Sequence, residues 1–206
     1  MSLTFYYAPM STASTVHWSL EELGVAYEGV RVDLLDEADK KKKLGPVNPN
    51  LKVPVLVHDG IAIFESAAIQ IYLGETFGVD KGLFPAPGPK RGEALRWLVW
   101  ANVTLGEANG RLMRHASERS PAELRSAPAA EHARRDLDAA LRVFESALGD
   151  KLYVLGASFS LVDCHLASFF QWLGFCGVDL KPYPKTSAWV ARCNDRPANL
   201  RLMQES

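Results

Sequence analysis

Two dipeptides separated by one hairpin carry the most chemistry in this chain: Val53-Pro54 and Glu65-Ser66. A serine that opens a helix presents a hydroxyl and a backbone N–H at the positive end of the helix dipole, which suits a carboxylate. The same residue can serve as a plain cap. A proline just inside a strand removes a ladder donor, so it belongs at a strand start, an edge or a cis turn. In the cis case the backbone groups of Val53 escape the sheet and are free to hold a ligand. A third cluster, Ser11, Thr12 and Ser14, offers hydroxyls at the start of another helix, again as caps or as something more.

These residues need elements to position them. Val53–Val57 and Ile61–Phe64 are apolar runs joined by Asp59-Gly60, a strong hairpin signal because both central residues of a type I′ turn need φ > 0. Leu3–Tyr7 reads as a strand ended by Ala8-Pro9, followed by a helix to about Leu23 with Gly24 as its stop. Tyr27–Asp33 alternates as a second strand, so a right-handed β-α-β crossover is expected. The run Lys40–Lys43 follows acidic residues and lacks interleaved aromatics, the pattern of a solvated face. A third helix is expected over about Ser66–Phe77.

Gly78–Pro89 is rich in Pro and Gly and reads as a linker. Beyond it helices are expected at about Lys90–Ala116, Ala129–Leu148, from Leu161 and over Thr186–Asn194, with a short tail helix. Leu137, Leu141, Phe144 and Leu148 form a core stripe, and Ser160-Leu161-Val162-Asp163 a capping box with Asp in place of Glu. The expected organisation is residues 1–78, a linker at 79–89 and an all-helical domain at 90–206.

Composition narrows the function. Hydrophobic residues make up 48% of 206 and the formal net charge is -1, which gives no electrostatic reason to expect nucleic acid or an anionic membrane. The longest apolar stretch, Leu166–Val178, is broken by Ser168 and Gln171 and is too short to span a bilayer. No signal peptide is visible at the start. Cys164, Cys176 and Cys193 lack CxxC spacing, which argues against a disulfide framework, a zinc site or a dithiol motif. A reduced, cytoplasmic protein is expected, with no metal. HExxH, GxSxG, P-loop and GxGxxG patterns are absent.

The β-α-β unit, then NPNLKVPVLVHDG–IAIFES, a Pro-rich linker, Phe159–Asp163 and the ending Tyr183-Pro184, Trp189, Arg192, Arg196-Pro197-Ala198 together resemble a cytosolic glutathione transferase of the bacterial serine- or theta/beta-like type. The likeness covers nearly the whole chain. It implies an α/β N-terminal thioredoxin-like domain followed by an all-α helical-bundle domain, and a cis bond at Pro54. It implies a homodimer with glutathione as co-substrate, no permanently bound cofactor and an electrophilic, largely apolar small molecule as partner. Ser66 would hold the γ-glutamyl carboxylate and Glu65 would orient the ligand's ammonium end. Val53 would exchange backbone hydrogen bonds with the cysteinyl unit, and Lys52 would reach the glycyl carboxylate.

Catalysis in such a site means supplying thiolate. A thiol of pKa near 8.5 is only about 3% ionised at pH 7, and lowering that pKa by about two units takes about 2.7 kcal/mol. A donated hydrogen bond and a helix N-terminus can provide it. Counting from the first strand, the resemblance places the catalytic hydroxyl at Ser11; counting back from the end of the helix places it at Thr12, with Ser14 third. No cysteine lies there, which excludes a protein thiol as nucleophile. The electrophile is expected between the domains, near Met10, the helix at Asn109–His115 and Trp172. The alternative is a non-catalytic module that binds glutathione or apolar ligands, or a protein partner, on the same scaffold. An isomerase role ranks lowest, because the Ser-Ser…Arg-x-Arg pattern is missing.

Overall fold

The computed structural model describes residues 2–205. Its first part runs β1 (Leu3–Tyr7), α1 (Ala13–Leu23), β2 (Glu28–Arg31), α2 (Glu37–Leu44), β3 (Val55–His58), β4 (Ile61–Phe64) and α3 (Ser66–Leu73). The second part is helical: α4 (Pro89–Trp100), α5 (Glu107–Ala116), α6 (Ala127–Leu148), α7 (Leu161–Phe175), α8 (Pro184–Asn194) and α9 (Pro197–Glu205). Among the described residues one four-stranded sheet forms, in the order β2-β1-β3-β4. β2 lies parallel to β1, while β3 is antiparallel to both β1 and β4.

Local chemistry accounts for most boundaries. Asp59 and Gly60 both take positive φ, 46° and 84°, and close the β3–β4 hairpin. Gly24 stops α1 in the left-handed region at φ 59°. Asp36 caps α2 by accepting from the Ala38 and Asp39 N–H groups; Lys41 and Lys42 are exposed, while Lys40 and Lys43 are half-buried and paired with Glu37 and Asp39. The Val53–Pro54 peptide bond is cis and immediately precedes β3.

The register decides where the site lies. Tyr6 pairs with Val55, and Val55 pairs with Phe64. The loop after β1, the Val53–Pro54 turn before β3 and the start of α3 after β4 therefore meet at one end of the sheet. Trp18, Leu20, Phe5 and Leu56 fill the core beneath.

Two helical stretches differ from simple expectation. The segment read as one helix from Lys90 to Ala116 contains a wide π-helical turn, Ala101–Gly106, between α4 and α5. Its tight spot is Gly106, where a Cβ would lie 2.7 Å from the Phe169 ring and 3.1 Å from the Ala101 carbonyl. Likewise α3 ends at Leu73 and a π turn occupies Gly74–Gly78, against which Phe84 of the connecting segment packs so closely that a Cβ on Gly74 would sit 2.5 Å from its ring. Leu161 N–H then donates to the Leu83 carbonyl, which ties that segment to the start of α7.

The helical core centres on Phe144, whose ring meets Trp97, Trp100, Phe170 and Trp189. Trp97 and Trp100 are thus core residues. The buried Asp163 carboxylate accepts from the Ser160 N–H and hydroxyl, the Val154 N–H and the Trp189 indole. Burial pushes its pKa up, and these four donors oppose the shift. Between the two parts, Glu22 of α1 receives both guanidinium prongs of Arg196 at 2.6 Å, with Arg196 stacked 3.6 Å over the Phe159 ring.

Candidate active site

The chain turns sharply between β1 and α1, with Met10 at φ 54° in the left-handed region. That turn aims the three hydroxyl residues differently. Ser11 Oγ donates to the Ala8 carbonyl at 2.7 Å and accepts from the Ala13 N–H at 3.2 Å, a closed local turn. Thr12, at the N-cap of α1, points its Oγ1 across to the Val53 carbonyl at 3.4 Å. That contact is long and easily exchanged for a better acceptor. Ser14, the second residue of α1, borders the cavity described below.

Val53 is buried, and its N–H meets no acceptor among the described residues. An extended peptide laid beside it would find one backbone donor and one carbonyl in reach. Lys52 is exposed, while its carbonyl accepts from the Asn48 side chain at 2.8 Å, which fixes the approach to Pro54. Glu65 holds φ 73°, ψ 117°, an uncommon conformation for a side-chain-bearing residue. It stands exposed at the N-cap of α3. Ser66 follows, 3% exposed, with its Oγ accepting from Asn102 Nδ2 at 2.9 Å. The Asn102 carbonyl oxygen in turn lies 2.8 Å from His165 Nε2. Burial pushes the pKa of His165 down to about 3, so the ring is neutral at ordinary pH.

A cavity of about 350 Å³ opens beside Ser11 and Thr12. Met10 and Trp172 line it, together with Phe169 and Phe175 of α7 and Met203 of α9. Among the described residues no Lys, Arg, Asp or Glu contributes to its wall. His115 is not part of it. It sits in the last turn of α5, bonded through Nδ1 to the Leu124 carbonyl at 2.7 Å, and Asn109 is buried with its amide against Cys176. The helix expected to border the cavity packs along α6 instead, so α7 and α9 supply the wall. His17 lies at the cavity floor and shares a 2.7 Å hydrogen bond with the Tyr27 hydroxyl.

Comparison with known proteins agrees with this geometry. The model for the glutathione S-transferase N-terminal domain matches residues 1–75, and that for the C-terminal domain matches residues 111–197. Glutathione S-transferase U28 of Arabidopsis thaliana is 30% identical over 99% of this chain and 88% of its own. The chain belongs to the glutathione S-transferase family. Glutathione S-transferase GstB of Escherichia coli K12 is also 30% identical, over 87% of this chain and 86% of its own. Among solved structures, a ternary complex of BphK, a bacterial transferase, superposes with a TM-score of 0.86 at 28% identity, covering 98% of each chain. A sphingomonad glutathione S-transferase complexed with glutathione gives 0.83 at 27% identity, again over 98% of each. The transferase therefore has the expected α/β domain followed by a helical domain. Asn102 and His165 were not distinguishable as site residues in the sequence, since each is a lone polar residue within a helical stretch. Met203 carried only a tail-helix signal.

Proposed function

We propose that this transferase binds glutathione along the open end of the sheet and adds its thiolate to an uncharged, largely apolar electrophile held in the adjoining cavity. The convergence of Val53, Ser66 and Thr12 at one sheet end, with an apolar cavity beside them, carries this reading. Ser66 and the α3 N-terminus seat the γ-glutamyl carboxylate, and Glu65 attracts the neighbouring ammonium group. Val53 exchanges main-chain hydrogen bonds with the cysteinyl unit, next to Pro54, and Lys52 meets the glycyl carboxylate in solvent.

The sulfur then lies near the start of α1. Thr12 is the better donor to it. The Ser11 proton is engaged at 2.7 Å by the Ala8 carbonyl, whereas the Thr12 proton is held only by a 3.4 Å contact. Releasing the weaker bond to a developing thiolate favours ionisation, and the positive end of α1 adds to it. Ser11 shapes the turn that aims Thr12. Absorbance titration of bound thiolate tests the assignment: Thr12→Val should raise the bound thiol's pKa by one unit or more, with Ser11→Ala changing it less. The reverse order gives the role to Ser11. Absence of glutathione binding in calorimetry removes the reading altogether.

Val99 and Val103, one turn apart along α4 and the turn after it, are exposed and would pair with a second copy in a homodimer; sedimentation of monomer at micromolar concentration would remove this. A reducing, cytoplasmic setting fits three cysteines that are all free, two of them buried.

A further inference from the structure

We propose that Asn102 and His165 of the helical domain are positioning residues that fix the direction of the Ser66 hydroxyl, so that its proton is presented to a ligand carboxylate. The proposal rests on the reading that Ser66 seats the γ-glutamyl carboxylate.

The direction of the relay follows from which atoms can donate. The Asn102 oxygen accepts only, and it faces His165 Nε2 at 2.8 Å, so Nε2 carries the ring proton. Asn102 Nδ2 donates only, and it faces Ser66 Oγ at 2.9 Å. One lone pair of the serine oxygen is therefore occupied. Among the described residues the Ser66 hydroxyl donates to no group, which leaves its proton for something outside the protein. A hydroxyl that already accepts a hydrogen bond is polarised into a stronger donor.

His165 holds the far end. It is fully buried, and burial keeps it neutral, with one ring proton to place. Among the described residues Nδ1 ends buried with no hydrogen-bond partner. With the proton on Nε2, the orphan at Nδ1 is a lone pair. The other tautomer would force the Asn102 amide to turn round, against the orientation the structure has. Turned round, the amide oxygen would take the serine's proton and present a lone pair to the ligand, the wrong polarity for an anion.

Placement supports the same role. Asn102 lies in the π-helical turn between α4 and α5, and wide turns of this kind recur at functional sites. Through it a group of α7 reaches a residue of α3, so the carboxylate seat of the first domain is completed by the second.

Calorimetry with two ligands tests the relay: glutathione, and the analogue in which 4-aminobutyrate replaces the γ-glutamyl unit and the α-carboxylate is missing. Asn102→Ala should weaken glutathione binding about tenfold, the low end for a hydrogen bond to a charged group, and leave analogue binding unchanged. Asn102→Asp should weaken glutathione binding further, because the new carboxylate takes the Ser66 proton. In a Ser66→Ala background Asn102→Ala should have no additional effect. Equal weakening of both ligands, or full retention of discrimination in Asn102→Ala, overturns the relay alone. A wild-type protein that binds both ligands equally overturns the carboxylate seat and the relay with it. Asn102 is only half-buried, so its variants report even where substitution of His165 prevents folding.

Discussion

His165 makes the stability of this transferase depend on pH between about 3 and 6.5. In the native state burial lowers the imidazole pKa to about 3, while the unfolded chain titrates near 6.5. As pH falls below 6.5 the unfolded chain takes up a proton that the native state refuses, so native stability falls. At pH 8 the effect is nil. At pH 6 it is about 0.8 kcal/mol and at pH 5 about 2 kcal/mol, growing by about 1.4 kcal/mol for each further unit until the native ring itself protonates near pH 3. Among the carboxylates, Asp138, held below its usual range by the Tyr183 hydroxyl and then by Arg142, loses its stabilisation as pH falls below about 4, while Asp163, raised by burial, works in the opposite sense above that point. His165→Gln keeps a donor for Asn102 and removes the titration. Denaturant unfolding of both proteins at pH 5 to 8, at one protomer concentration, should show the wild type losing about 2 kcal/mol relative to the variant. Parallel stability curves, or an NMR titration of the His165 ring with a midpoint near 6.5, would refute the buried neutral state.

Two structural substitutions complete the set. Arg196→Met leaves the Glu22 carboxylate, 7% exposed, with the Trp18 indole as its remaining partner; unfolding should cost roughly 3 kcal/mol less, read as a Tm lower by roughly 6–12 °C. Gly106→Ala drives a Cβ against the Phe169 ring that lines the cavity. It should destabilise by about 1–3 kcal/mol and raise KM for the electrophile while leaving KM for glutathione unchanged.

Much of the first domain was legible because its signals are local. Asp59-Gly60 specifies a turn, Gly24 a helix stop, and Val53-Pro54 the cis turn before β3. The stripe Leu137, Leu141, Phe144, Leu148 gave α6 within two residues of its start. Illegible features depend on contacts distant in sequence or on backbone without its usual residue. The wide turn at Ala101–Gly106 is shaped where Gly106 meets Phe169, 63 positions away. The turn before α1 uses Met10 at positive φ, where glycine would have been the marker, so counting from the strand and counting from the helix disagreed over Ser11 and Thr12. His115 kept its helix but not its place, since spacing fixes a face of α5 and not the neighbour that covers it.

The electrophile cavity draws Met10 from the start of the chain and Met203 from its last helix. During synthesis, at about 5–20 residues per second, the sheet and its cis turn can be complete while the cavity still has no far wall. Only when α9 leaves the ribosome and docks on α1, latched there by Arg196 on Glu22, do Met10 and Met203 come to line one cavity. A nascent chain is thus equipped to take up a cosubstrate before it has anywhere to put a substrate, and a truncation that removes α9 would sever the second capacity from the first.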